Sequence, residues 1–70
     1  MNWIIVNSTN IEKYRYDEDS QTLEIEFKKG TIYQYFDVPK EEYEALMNAD
    51  SHGKHFVANI RNDYDYNQIK

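Results

Sequence analysis

Residues 22–36 read "TLEIEFKKGTIYQYF", and this stretch decides the fold. In its first half, Leu23, Ile25 and Phe27 alternate with polar residues, the period-two pattern of an antiparallel strand with one buried face. Its second half, "TIYQYF", is rich in β-branched and aromatic residues, which is typical of a strand that pairs with the first half. A glycine lies between the two halves, so the stretch predicts a β-hairpin.

The length of the turn decides which face of the sheet Tyr33 and Tyr35 occupy. A two-residue turn at Lys29 and Gly30 would put both rings on the charged face, where a ligand could reach them. A three-residue loop would place Tyr33 opposite Ile25 and both rings in the core, because a one-residue slip exchanges the faces. Glycine suits the left-handed third position of the longer loop. We therefore favour the three-residue loop and the core positions.

Two further segments upstream of the hairpin have strand character. Residues 3–6, "WIIV", form a short β-branched run that predicts a strand or an N-terminal arm. Residues 11–17 alternate, which predicts a strand with Tyr14 and Tyr16 facing inward and Ile11 on the opposite face. The hairpin therefore extends into a larger antiparallel sheet.

The second half of the chain predicts two short helices. Pro39 fits the first helical position, where its missing N–H costs nothing, and the helix should end near Ala49. Ser51 can cap a second helix. Residues 63–69 alternate again and predict a short final strand. The residues expected to face the sheet from the two helices are Tyr43, Leu46, Met47, Phe56 and Ile60.

Length and composition narrow the fold class. The chain has 70 residues and no cysteine, so it is expected to be a single domain over residues 1–70, with a core built from its eleven aromatic residues, seven Tyr, three Phe and one Trp. We predict an α+β fold, an antiparallel meander of three or four strands with two short helices packed on one face. Neither a membrane span nor a signal peptide is apparent, so a cytoplasmic location is expected. Monomer and homodimer are both compatible with this size.

The net charge of −5 is unevenly distributed along the chain. Residues 1–27 contribute −4, residues 28–61 contribute 0 and residues 62–70 contribute −1. An acidic protein lacks the overall attraction to phosphate that drives most nucleic-acid binding. A local basic surface beside exposed tyrosines would still suit a single strand, although the residues alone favour scattered solubilising charges. The side chains available for such a surface are Lys28, Lys29, Lys40, Lys54 and Arg61.

No pattern in the chain indicates catalysis, a metal site or a cofactor. The histidines His52 and His55 are three residues apart, but zinc needs three or four ligands in fixed geometry. We expect both to be ordinary surface histidines. Without a cysteine, a phosphate-binding glycine loop or a recognisable serine motif, the chain is predicted not to be an enzyme.

The order of the motifs resembles that of a known family. The chain reads "NSTNIEKYRYD", "LEIEFKKGTIYQYFDVP", "YEALMNADSHGKHF" and "IRNDY" in turn. This order resembles the KTSC domain, a short module named for the C-terminus of some lysyl-tRNA synthetases and also found as a free-standing bacterial protein. The resemblance covers about residues 6–66. The positions that carry it are Leu23, Ile25, Phe27, Gly30, Tyr33, Tyr35, Val38, Pro39, Leu46, Ala49, Ser51, Gly53, Phe56, Ile60, Arg61 and Tyr64.

The resemblance implies a non-catalytic binding module, with RNA, either tRNA or a single strand, as the suggested partner. The acidity of the chain departs from what an RNA-binding protein usually shows. The binding surface that we predict on this chain consists of Tyr33 and Tyr35, if they are exposed, with Lys54, Arg61 and Tyr64.

Two rival functions remain at this stage. In the first, the module binds a basic protein through its acidic first half, especially Asp17, Glu18 and Asp19. In the second, a small phage protein mimics the charge of nucleic acid and blocks a host enzyme, which would require acids clustered on one face. Bacterial and phage origins are both compatible with the sequence.

Overall fold

The computed structural model describes residues 2–70, which form five strands and two helices. The strands form one antiparallel sheet in the order β1-β2-β3-β4-β5, and both helices lie between β4 and β5 in the chain. The predicted α+β meander is confirmed, with five strands instead of three or four. None of the helices in the described part of the chain is long and apolar enough to cross a membrane. The elements are β1 (Ile4–Ile5), β2 (Ile11–Asp17), β3 (Thr22–Phe27), β4 (Ile32–Tyr35), α1 (Lys40–Met47), α2 (His52–Asn59) and β5 (Tyr66–Gln68).

The hairpin between β3 and β4 has the predicted three-residue loop. The N–H of Phe27 donates to the carbonyl of Thr31 at 2.9 Å, which closes the loop. Gly30 has φ of +100°, a left-handed conformation that strains any residue with a side chain. The resulting register places Tyr33 opposite Ile25 and Tyr35 opposite Leu23.

Strand β2 contains a β-bulge that changes which face one residue occupies. Ile11 pairs with Phe27 whereas Lys13 pairs with Glu26, so Glu12 is an extra residue on the β2 side. The bulge turns Ile11 into the core, where it is fully buried. The prediction that Ile11 lies on the opposite face from Tyr14 is therefore wrong, because strict alternation assumes an unbroken ladder. The inward positions of Tyr14 and Tyr16 are confirmed.

Both helices begin close to their predicted positions. Pro39 is the N-cap residue of α1, with ψ of 155°, so it precedes the helix by one residue and does not open it. Helix α1 ends at Met47, before Ala49. The Oγ of Ser51 accepts a hydrogen bond from the N–H of Lys54 at 3.2 Å, which confirms the predicted cap of α2.

The core lies between the helices and one face of the sheet. The prediction that Met47 faces the sheet is wrong: Met47 is the last residue of α1 and is 43% exposed. Of the other expected helix residues, Tyr43 is partly buried and the rest are buried. The buried core residues are Ile11, Tyr14, Leu23, Ile25, Tyr35, Val38, Leu46, Phe56 and Ile60.

The opposite face of the sheet carries a buried ion pair. Glu24, expected on the solvent side of β3, is only 5% exposed. Its Oε1 lies 2.6 Å from Nε of Arg15, and its Oε2 accepts a hydrogen bond from Nε2 of Gln34 at 2.7 Å. The indole ring of Trp3 lies over the Arg15 guanidinium, 4.2 Å from its central carbon. Both carboxylate oxygens therefore have partners, as a buried charge requires.

Candidate functional site

A groove of about 680 Å³ lies where the helices leave part of the sheet uncovered. One wall is the aromatic face of β4 and β5, and the other is the side of α2 and the turn that follows it. The volume falls within the range of ligand-binding pockets. The lining residues are Thr9, Asn10, Ile11, Phe27, Lys28, Lys29, Tyr33, Tyr35, Gly53, Phe56, Val57, Arg61, Asn62 and Tyr66.

Aromatic rings form the sheet side of this groove. The ring centroids of Tyr33 and Tyr66 are 5.6 Å apart, with the planes tilted by 35°. Tyr66 is 59% exposed, and Tyr33 is half-buried. Phe27 packs edge-on against Tyr33 at 5.8 Å and fixes its orientation. Tyr33 and Tyr66 therefore offer ring surface to a ligand.

The charge of the groove is opposite in sign to that of the chain. Lys28, Lys29 and Arg61 line it, whereas no aspartate or glutamate in residues 2–70 does. Within that same range, none of the three cations forms an ion pair. All three side chains are exposed. The groove thus concentrates three positive charges in a protein with a net charge of −5.

The structure brings three of the five predicted site residues together. Tyr33, Tyr35 and Arg61 line the groove. Lys54 lies in a shallower depression beside it. Tyr64 does not line the groove but packs against the core. Burial raises the pKa of Tyr64, and the negative charge of Glu42 adds to the rise. The groove adds residues that the sequence reasoning had not selected, above all Tyr66, Asn10 and Asn62.

The two central tyrosines have different environments. Tyr35 is 3% exposed, so its predicted core position is confirmed. Tyr33 is only partly buried: it packs against the core and also lines the groove. Burial, with a smaller contribution from the neighbouring Tyr33 and Tyr66, raises the pKa of Tyr35 to about 12, and Arg61 partly opposes this rise. Tyr35 therefore supports the groove from below, and Tyr33 forms its surface.

The buried tyrosines predict a loss of stability at high pH. The pKa values of Tyr14 and Tyr35 are both raised from 10.0 to about 12, mainly by burial. Below pH 10 both rings are protonated in either state, so their contribution is complete. Between about pH 10 and pH 12 the unfolded chain loses these protons first, so the free energy of unfolding falls by roughly 2–3 kcal/mol per ring.

Urea unfolding followed across this pH range measures the effect. The double variant Tyr14→Phe/Tyr35→Phe should show a flatter decline than the wild type. A decline of equal steepness in both proteins would contradict the assignment to these two rings.

The two histidines are held by separate contacts. Nδ1 of His52 lies 2.9 Å from the carbonyl oxygen of Leu46. Nε2 of His55 lies 2.6 Å from Oε2 of Glu42, which joins the two helices. Within residues 2–70 there is no group of three or more side chains suited to hold a metal ion.

Comparison with known proteins identifies the family. The family model of the KTSC domain matches residues 7–64. The chain belongs to the KTSC domain family. A KTSC domain protein from Yersinia pestis, solved by crystallography, superposes with a TM-score of 0.92 at 33% identity, over 99% of this chain and 97% of that one.

Two kinds of relative contain a similar KTSC domain. A lysine–tRNA ligase from a Nostoc species is 44% identical over 59 residues, which is 84% of this chain but 10% of the ligase. A protein from Stutzerimonas stutzeri is 41% identical over 56 residues, covering 80% of this chain and 79% of that protein. The chain therefore spans about a tenth of the ligases it matches.

Proposed function

We propose that this KTSC domain is a non-catalytic, cytoplasmic RNA-binding module whose groove holds unpaired nucleotides. One observation carries the proposal: the groove of an acidic protein combines the half-buried ring of Tyr33 and the exposed ring of Tyr66 with three cations and, among residues 2–70, no carboxylate in its lining. The local charge attracts phosphate although the net charge of the chain does not. The ligase relatives, which by name act on tRNA, give independent support for RNA as the partner.

In this proposal, each wall of the groove contacts a different part of the RNA. Tyr33 and Tyr66 present ring faces on which bases stack, at about 1–3 kcal/mol per base. Lys28 and Lys29, in the turn after β3, and Arg61, just after α2, lie in the same groove to meet backbone phosphates. Unpaired bases are required, because paired bases keep their ring faces inside the duplex.

The acidic turn between β2 and β3 favours this function over binding of a basic protein. A carboxylate oxygen of Asp17 accepts a hydrogen bond from Ser20, and the other accepts one from the N–H of Asp19. Glu18 pairs with Lys40 at 2.9 Å. Asp17 and Glu18 therefore already have internal partners, which makes these two carboxylates less available to a basic surface.

Fluorescence anisotropy with labelled RNA tests the proposal. We expect saturable binding of tRNA and of unstructured single-stranded RNA at low salt. With three cations on phosphates, log K should fall with log salt at a slope of about −2, since each contact with a single strand contributes roughly −0.7.

Two comparisons give this experiment its controls. A blunt RNA duplex of the same length should bind more weakly, because its bases cannot stack on the tyrosines. Single-stranded DNA of the same sequence reports whether the 2′-hydroxyl contributes. Absence of RNA binding at low salt, or binding that does not respond to salt, would refute the proposal. Capture of a basic protein in a nuclease-resistant complex would favour the rival function.

A further inference from the structure

The outer edge of β5 carries backbone groups that point away from the sheet. Among the strands of residues 2–70, β5 is the last in the sheet and pairs with β4. The carbonyl of Asp65 accepts a hydrogen bond from the N–H of Phe36 at 2.9 Å, and the N–H of Ile69 donates to the carbonyl of Ile32 at 2.9 Å. Because the backbone groups of successive residues alternate in direction along an antiparallel strand, the N–H and C=O of Tyr66 face the free edge.

This free edge borders the groove through Tyr66. The ring of Tyr66 lines the groove, while the backbone of the same residue forms part of the edge. All three residues of β5 are exposed. The side chains of Asp65 and Asn67 point to the opposite face of the sheet, because side chains alternate along a strand. The other free edge of the sheet, β1, has no residue in the lining of the groove.

The backbone of one strand residue is chemically complementary to the polar edge of a base. The N–H of Tyr66 is a donor and its C=O is an acceptor, and both groups require hydrogen-bond partners. Each RNA base presents a donor and an acceptor side by side on its Watson–Crick edge, and in a single strand this edge is free. A base that stacks on the ring of Tyr66 can therefore bring its polar edge to the backbone of the same residue.

We infer that the backbone N–H and C=O of Tyr66 hydrogen-bond the Watson–Crick edge of one base of the strand in the groove. The inference rests on the proposed function and deepens it, because contacts to phosphate carry no information about the bases. All four bases offer a donor and an acceptor, so the edge accepts each of them but rejects a base whose Watson–Crick edge is paired or methylated. The domain thereby recognises unpaired RNA without requiring one sequence.

Modified oligouridines of about eight nucleotides test the part of the base. In 3-methyluridine a methyl group replaces the N3–H donor and blocks the Watson–Crick edge without adding charge. Such an RNA should bind at least about fivefold more weakly than plain oligouridine, the effect of losing a well-formed pair of hydrogen bonds to a base. The matched control is 5-methyluridine, which carries its methyl group on another edge and should bind about as well as uridine. All three RNAs should show the same salt slope, since their phosphates are unchanged.

Chemically synthesised protein tests the part of the backbone. A methyl group on the backbone nitrogen of Tyr66 removes the donor and keeps the ring, and it should weaken binding of plain oligouridine by at least about fivefold. The control carries the same methyl group on Ile5. The N–H of Val6 donates to the carbonyl of Glu12 at 3.3 Å, so the N–H of Ile5 faces the free edge of β1. Neither modification removes a hydrogen bond within the sheet, so circular dichroism and Tm should stay close to those of the wild type.

The outcomes distinguish this inference from the proposed function. Methylation of the RNA should cost less affinity in N-methyl-Tyr66 protein than in the wild type, because the two changes remove one interaction. If 3-methyluridine RNA binds as tightly as plain oligouridine, or N-methyl-Tyr66 protein keeps full affinity, the edge contact is refuted and the groove remains. If the wild type does not bind oligouridine at low salt, both the edge contact and the proposed function fail. A wild-type dimer that methylation of Tyr66 abolishes would show that a second copy occupies the edge, and would also overturn the inference.

Discussion

The double variant Lys29→Glu/Arg61→Glu is expected to bind RNA about a thousandfold more weakly than the wild type at low salt. Each reversal replaces an attraction of about 1 kcal/mol with a repulsion of similar size, at contact distance and in the dielectric of water. The loss is then about 2 kcal/mol per site and about 4 kcal/mol for the pair, where 1.4 kcal/mol corresponds to tenfold. The slope of log K against log salt should also fall from about −2 towards −0.7, because one cation of the groove remains.

The control for this variant is Lys40→Glu/Lys70→Glu, which changes the net charge by the same amount. Neither of these lysines lines the groove. The control should lose only the long-range part of the attraction, roughly tenfold or less, and keep its salt slope. Equal losses in the two double variants would show that RNA responds to net charge and not to the groove. Far-UV circular dichroism should show that both variants remain folded, since all four side chains are exposed.

The variant Arg15→Met is expected to lower the free energy of unfolding by about 3 kcal/mol. It removes the guanidinium that lies 2.6 Å from Glu24, a residue only 5% exposed, and leaves the Glu24 carboxylate without its counter-charge. Trp3 also loses the nearer of two cations at its ring, while Lys13 remains at 4.9 Å. A domain of this size has a total stability of roughly 4–10 kcal/mol, so the effect is a large part of it. Urea unfolding at neutral pH measures the change.

A double-mutant cycle tests whether the unpaired charge of Glu24 causes this loss of stability. In Arg15→Met/Glu24→Met both partners become apolar, and replacement of a buried ion pair in this way is often close to neutral. The double variant should therefore be more stable than Arg15→Met alone, by about 1–2 kcal/mol. If the double variant is less stable than either single variant, packing of the two stems and not their charge accounts for the loss.

The parts of the fold that the sequence predicted correctly depend on local rules. The position of Gly30 selects a three-residue loop, and the period of two then places Tyr35 in the core without further information. Ser51 likewise caps α2 through a contact three residues away. Such features need no knowledge of distant segments, which is why a single sequence suffices for them.

The features that escaped prediction depend on contacts between distant segments. Glu24 is buried because Arg15 and Gln34 flank it on neighbouring strands, whereas its own strand shows only a polar position. The bulge at Glu12 breaks the alternation on which the face of Ile11 had been assigned. The residue pattern of one strand reveals neither the partners on neighbouring strands nor the position of a bulge.

The candidate site was predictable only in part for the same reason. Tyr33 and Tyr35 share one face of β4, yet Tyr33 borders the groove and Tyr35 is buried beneath it, because the helices cover only part of that face. Tyr66 reaches the groove because β5 pairs it with Tyr35. The alternation of Tyr64 and Tyr66 indicated a final strand in the sequence, but only the pairing of that strand shows which of the two rings is exposed.

If the groove binds RNA as proposed, its assembly from separate parts of the chain links that binding to folding. Lys28 and Lys29 come from the turn after β3, while Arg61 and Tyr66 come from the end of the chain, so the unfolded polypeptide offers no such site. A ligand that binds only the folded protein stabilises it. At a free concentration one hundred times its Kd, such a ligand adds about 2.7 kcal/mol to the free energy of unfolding. For a small domain, the fraction of folded molecules would then depend on the concentration of RNA around them.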